Sequence, residues 1–342
     1  MQQISGEILT LEGFRSGCIS FDDRHVDIHF SSKLYSKKPT LDKIILPTLI
    51  NAHTHIGDAF IRDKKMDLPR TVQELVRPPT GLKHRLLHAA SDQEILQGMI
   101  SSIAMMDACG TTLFCDFREQ GLHGVTLLKK AMSDFSVCSL ILSRPRRMVY
   151  DEQELIKLLQ NSDGIGLSGI LDWEYAEVQK IAGLVRRKNK IFALHASEVQ
   201  RENIDQILDL HPHFLVHMAH ATESDLVRVQ QENIPVVICP RSNDFFGIKR
   251  DWSLLKKTKV LVMLGTDNAM IANPDVLDEI RFLYQTNTDF SLHELLAMAT
   301  YTPRKALNLE DDIHAPNSLG NFIILDRDTM RPIYRVLREK RG

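Results

Sequence analysis

Along most of the chain, short apolar runs alternate with longer stretches in which apolar residues recur every three or four positions. The apolar runs, rich in β-formers, cover residues 44–55, 111–117, 137–143, 164–170, 190–196, 213–219, 235–240 and 259–267, eight in all. Helical spacing fills the gaps at 93–108, 124–133, 152–159, 175–187, 202–210, 223–231 and briefly 252–257, and 275–285 follows the last run. Eight strand–helix alternations over about 250 residues predict an α/β fold, a (β/α)8 TIM barrel with its parallel sheet closed on itself and its helices outside. An open, doubly wound sheet would show the same alternation.

Both ends of the chain fall outside this count. Residues 1–47 contain GEILTLEG, GCISFDD and HVDIHFSS, where apolar and polar residues alternate between turn residues, and the segment 316–342 does the same around LGNFIILD. Chain ends of one domain lie close together, so the two segments are expected to pair into a small β-sandwich-like domain. That leaves 48–315 for the barrel. Two unrelated terminal hairpins are the plainer alternative.

Composition narrows the function. With 43% hydrophobic and 25% charged residues and only 17 Gly in 342, the chain is neither collagen-like, disordered nor a coiled coil. Lys and Arg number 42 against 44 Asp and Glu, a net charge of −2 that gives no electrostatic reason to bind nucleic acid or an anionic membrane. Two Trp and six Tyr offer little for base stacking. No apolar run reaches the roughly 18 residues of a membrane span, and the N-terminus lacks the basic start and apolar run of a signal peptide. Five cysteines without a CxxC pair point to free thiols in a reducing cytoplasm. The expected partner is a small-molecule substrate, and a homodimer is compatible with all of this.

The candidate chemistry sits where barrel strands end. His53 and His55 close the first run, ILPTLINAHTH, and a period of two points both imidazoles to one side. Random placement of 14 His in 342 residues gives about 0.6 HxH pairs, so the pattern alone is weak. A second pair, His211 and His213, flanks Pro212 and reads as a surface turn before the next strand. His195 ends the fifth run, His217 the sixth and Asp267 the eighth. Taken singly, each has a plainer reading as a hydrogen-bonded strand-end residue or a helix cap. Together they are four zinc-compatible ligands and a further His at the strand ends where barrel active sites gather. Such a set leaves a coordination position where the pKa of water falls toward about 7.

The motifs NAHTH, HASE (His195 to Glu198), VHMAH, ICPRSN and GTDN resemble those of the amidohydrolase superfamily. Within it they resemble the mononuclear branch of cytosine, guanine and S-adenosylhomocysteine deaminases and chlorotriazine hydrolases, and the resemblance covers almost the whole chain. It implies that His53, His55, His195 and Asp267 hold one divalent ion, zinc or alternatively iron, while Glu198 and His217 act on water and substrate. Asp267 would accept a proton from water and Glu198 would deliver one to a ring nitrogen, although the residues equally allow the two roles to be exchanged. His220, three residues after His217, is the rival to it. Binuclear relatives carry a bridging lysine after the fourth strand; GIGLSGILDWE has none, so one metal is expected.

Specificity is harder to read. Ile238 in ICPRSN replaces a polar residue that lines the pocket in many deaminases of this branch, which puts their usual substrates in doubt. Arg241 in that segment and Arg144, in SRPRR after the third strand, are candidate anion contacts. The long irregular segment 57–86 is expected to act as a lid or pocket wall, with Asp58, Phe60, Arg77 and His84 as substrate contacts. The resemblance implies hydrolysis of a C–N bond other than a peptide bond, foremost deamination of a small aminated N-heterocycle with release of ammonia. The alternatives are ring opening of a cyclic amide or amidine, as imidazolonepropionase-type enzymes perform, or a non-catalytic metal-binding barrel.

Overall fold

The structure, a computed structural model, describes residues 2–22, 26–30, 42–286, 289–309 and 321–336. Its parallel sheet runs in chain order through Leu49–His55, Thr111–Arg118, Cys138–Ser143, Gly164–Leu167, Ile191–Ala196, Phe214–His217 and Val236–Ile238. The eighth strand is broken. Val262–Leu264 pairs with Val236–Ile238, and after two residues Asp267–Asn268 pairs with Thr54 and His55 of the first strand. Thr266 N–H donates to the carbonyl of His53 at 2.9 Å across the break. The sheet thereby returns to its first strand, in an α/β, TIM-barrel-like fold.

Glycine makes the return possible. A Cβ on Gly265 would lie 2.7 Å from the Cβ of His53 and 2.9 Å from its backbone nitrogen, closer than real Cβ atoms approach. The outer helices follow the sequence spacing closely, among them Asp92–Ala108, Tyr175–Arg187 and Glu223–Gln231. Ser91 and Thr222 cap two of them in reciprocal capping boxes with Glu94 and Asp225. Alternate residues of each strand separate two cores. Ile165, Phe192, Leu194, Leu215, Val236 and Ile238 face the helices, while Phe117, Ala193, Phe214, Val216, Val237 and Met263 fill the barrel. Each of the larger aliphatic and aromatic side chains among them contributes about 1.5–3 kcal/mol by leaving water. All five cysteines are free, and no helix among the described residues is long and apolar enough to cross a membrane.

The first apolar run is split at Thr48. Lys43–Pro47 leaves the barrel and joins a six-stranded sheet in the order Pro332–Val336, Phe322–Asp326, Lys43–Pro47, Gln2–Leu9, Phe14–Phe21, Val26–Phe30. Both ends of the chain therefore share one sheet, with Phe322–Asp326 antiparallel to Lys43–Pro47. Among the described residues the expected sandwich is not seen. Ile8, Ile19, Phe21, Ile45, Phe322 and Ile324 cluster on one face, whereas Leu9, Ile44, Leu46, Ile323 and Leu325 belong to the main core. The face that carries Leu9, Ile44, Leu46, Ile323 and Leu325 packs against the barrel, which takes the place of a second sheet on that side. The expected boundary at residue 316 lies outside the described residues.

Gly265→Ala is expected to lower the thermal unfolding midpoint, since overpacking of this kind costs about 1–3 kcal/mol. A variant that melts with the wild-type protein would show that the two strands do not approach as described.

Candidate active site

The strand ends bring four ligand atoms together. Nε2 of His195 lies 3.2 Å from Nε2 of His53 and 3.3 Å from Nε2 of His55. Oδ1 of Asp267 lies 3.4 Å and 3.6 Å from the same two nitrogens of the first strand. Hydrogen bonding fixes what these nitrogens carry. Nδ1 of His195 faces the carbonyl of Leu167 at 2.9 Å, and Nδ1 of His55 faces the carbonyl of Phe117 at 3.0 Å and Glu119 Oε1 at 2.9 Å. A carbonyl or ionised carboxylate only accepts, so in both rings the proton is on Nδ1 and Nε2 is bare. Two bare nitrogens at 3.3 Å repel one another. Protonation does not relieve them: burial first, then Lys83, pushes His55 down to about 3, and burial with the neighbouring imidazoles holds His195 well below the usual range. A divalent cation does relieve them. Three imidazole nitrogens and a carboxylate oxygen, all within 4.8 Å of one another, fit a metal ion with N and O preference.

A second group adjoins the first, and Asp267 belongs to both. Glu198, His217 and Asp267 also offer ligand atoms within 4.8 Å of one another. Nε2 of His217 is 3.5 Å from Glu198 Oε1, and its ring stacks on His195 with centroids 5.3 Å apart. The strand ends that present these residues have left-handed backbone, with φ of 47° at Ser197, 72° at His217 and 60° at Asp267. Strain of this kind costs about 1–3 kcal/mol per residue and gathers at functional sites. The two carboxylates are driven apart. Burial, reinforced by Asp267, Asp172 and Glu202, pushes Glu198 well above the carboxylate range. Burial acts on Asp267 in the same direction, but His53, His217 and His55 outweigh it and hold Asp267 well below. Ser242 of the ICPRSN segment donates to Asp267 Oδ2 at 2.5 Å, and Asn268 Nδ2 donates to Oδ1 at 2.8 Å.

A cavity of about 180 Å³ opens on this site, lined by His55, His195, Glu198, His217 and Asp267. Segment 57–86 supplies part of its wall through Val72, Val76, Arg77 and Pro78 and contains the short helices Phe60–Asp63 and Val72–Leu75. Arg77 lines the cavity and pairs with Asp172 at 2.7 Å. Arg144 lines it too, 12% exposed, with its closest carboxylate, Glu119, at 3.7 Å.

Four expected contacts are placed elsewhere. Asp58 is fully buried and accepts from Met270 N–H at 2.9 Å. Phe60 packs in the core beside Met99 and Ile103. His84 bonds the carbonyl of Val76 at 3.0 Å and holds the wall from behind. Arg241 is consumed by Glu279 at 2.6 Å, Asp278 at 3.1 Å and the carbonyl of Asn273 at 2.6 Å. Ile238 faces the helix layer, so its departure from the deaminase pattern does not alter the cavity. His220 does not line the cavity, whereas His217 does.

Sequence reasoning missed Lys83 and Glu119. Lys83 is buried, lines the cavity, and donates to Glu119 Oε1 at 2.6 Å and Asn268 Oδ1 at 2.8 Å. Nothing in GLKHRLL marks that lysine. Glu119 directly follows the second strand, where the strand-end rule that found the other residues would have found it.

The Amidohydrolase family profile matches residues 44–340. The chain belongs to the amidohydrolase family. An Archaeoglobus fulgidus protein provisionally named an aminohydrolase is 33% identical to this amidohydrolase, over 82% of this chain and 79% of the relative. A 5-methylthioadenosine/S-adenosylhomocysteine deaminase from Caldicellulosiruptor saccharolyticus is 22% identical over 98% of this chain and 85% of its own. Among solved structures, an adenosine deaminase from Xanthomonas campestris with bound zinc superposes with a TM-score of 0.73 at 17% identity, covering 98% of this chain and 87% of that one. That likeness shows a shared fold. Family and site together make the protein a metal-dependent hydrolase.

Because Arg241 neutralises the fully buried Glu279, Arg241→Met is expected to cost about 3–5 kcal/mol of stability and leave metal content unchanged. Thermal unfolding with elemental analysis checks this. An unchanged midpoint with altered metal content would return Arg241 to the site.

Proposed function

We propose that this amidohydrolase hydrolyses the exocyclic amino group from a small nitrogen heterocycle, releasing ammonia, with one zinc ion held by His53, His55, His195 and Asp267. The observation that carries the reading is the divergence of two carboxylates at one site: Glu198 held protonated and Asp267 held ionised, both within reach of His217. When bound, the ion supplies a Lewis acid that makes water acidic near neutral pH.

Asp267, steadied by Ser242 and Asn268, accepts a proton from the attacking water. Glu198 delivers its proton to the ring nitrogen beside the carbon under attack. His217, kept neutral because burial lowers its pKa to about 4, donates a hydrogen bond to the oxygen joining that carbon. Asp267 passes the proton taken from water to the amino group, the C–N bond breaks with release of ammonia, and the remaining proton on the oxygen returns to Glu198, so that the ring keeps the oxygen as a carbonyl and both carboxyl groups are restored. Arg144 meets an anionic or carbonyl group of the substrate. The deaminase names among the relatives support the reaction class, and the zinc in the Xanthomonas structure supports the metal, although iron suits the same ligands. Free thiols at all five cysteines favour a reducing cytoplasm.

Aminated purines, pyrimidines, pterins and triazines, screened with zinc and with iron supplied separately, are expected to yield ammonia from at least one class. Ring-opened product without ammonia would overturn the reading. Glu198→Gln should keep its metal and lose about 10²–10⁴-fold in rate, and Asp267→Asn should lose metal or turnover. Since Glu198 acts in its protonated form, the wild-type rate should fall as pH rises through its elevated pKa. A Glu198→Gln variant as active as wild type would remove the proton donor from the mechanism.

A further inference from the structure

Lys83 places a cation, 2% exposed, beside a site built to receive another cation. Coulomb repulsion between two cations in a dry interior is offset there by the carboxylates that Lys83 meets. Its ammonium lies 2.6 Å from Glu119 Oε1, 2.8 Å from Asn268 Oδ1 and 3.5 Å from Asp58 Oδ2. Both close partners lead on to a ligand residue. Glu119 Oε1 faces Nδ1 of His55 at 2.9 Å, and Asn268 Nδ2 donates to Asp267 Oδ1 at 2.8 Å. With its amide oxygen committed to the ammonium, Asn268 can only turn its nitrogen toward Asp267. His55 and Asp267 stand on the two strands that meet at the seam of the barrel, where the pairing is only two residues long. A single ammonium thus spans the seam and reaches one ligand residue on each side.

We propose that Lys83 is a positioning residue for the metal: from helix Leu82–Ala89, next to the cavity wall, it clamps His55 through Glu119 and Asp267 through Asn268, so that metal affinity depends on it. The inference rests on the reading of the four-residue metal site. It makes a prediction opposite in sign to that of charge alone. Removing a nearby positive charge should tighten binding of a cation by Coulomb's law, whereas losing a partner that orients the ligands weakens it about 10- to 100-fold.

Zinc is titrated into the metal-free full-length protein against a competing chromophoric chelator. Lys83→Met is expected to bind zinc about 10- to 100-fold more weakly than wild type. Asn268→Asp keeps the lysine contact and adds negative charge, yet removes the donor to Asp267, and it too is expected to bind more weakly. It decides the matter if Lys83→Met fails to fold. Binding as tight as wild type or tighter in the folded variants overturns the inference. A wild-type protein that takes up no zinc overturns the metal site itself, and the inference with it.

Discussion

Two bare imidazole nitrogens facing one another at 3.3 Å, with a third and a carboxylate oxygen beside them, form an arrangement that protein atoms alone do not stabilise. Much of the surrounding structure serves to hold it. Carbonyls of Leu167 and Phe117 fix two of the ring tautomers, Gly265 lets the last strand approach His53, and left-handed backbone aims His217 and Asp267. The barrel closes at this site. The short pairing of residues 267–268 with 54–55 completes the sheet and brings Asp267 to the histidines in one step.

Charge is distributed around this centre in opposed pairs. Glu119 takes His55 and Lys83 on one oxygen and Arg118 on the other, at 2.5 Å, and Asp116 lies 3.1 Å from the same guanidinium. A Cβ on Gly57 would intrude on that guanidinium, so the start of the cavity-wall segment is shaped around it. On the open side the balance is different. Glu198 has His217 at 3.5 Å, and burial with Asp267, Asp172 and Glu202 outweighs the more distant Lys83, which suits it to keep a proton until substrate arrives. Low dielectric therefore serves both ends of the chemistry, pairing charge where geometry must be rigid and withholding it where a proton must be given.

The sequence made the strand ends legible because two periodicities coincide there. Alternation along a strand tells which residues share a face, and the barrel rule tells which end matters, so His53, His55, His195, His217 and Asp267 could be brought together across more than 200 positions. Loop residues obey neither rule. Arg241 and Asp58 have the chemistry of substrate contacts, but the scaffold uses that chemistry, as the buried Glu279 and the N–H of Met270 show. Lys83 is the reverse case: it lies in a segment that reads as irregular, and its importance comes wholly from what folding sets against it. Ile238 departs from the motif, but alternation along its short strand turns it to the helix layer and away from the cavity. The terminal segments paired as their patterns suggested, yet the layer they pack against is the barrel, which no local pattern could announce.

The central claim is that one cation sits among four residues drawn from three separate strand ends. Anomalous diffraction at the zinc edge from crystals of the zinc-loaded protein tests it directly. A single strong peak is expected about 2.0–2.2 Å from Nε2 of His53, His55 and His195 and from a carboxylate oxygen of Asp267. A peak elsewhere, or two peaks of equal strength in the cavity, would contradict it.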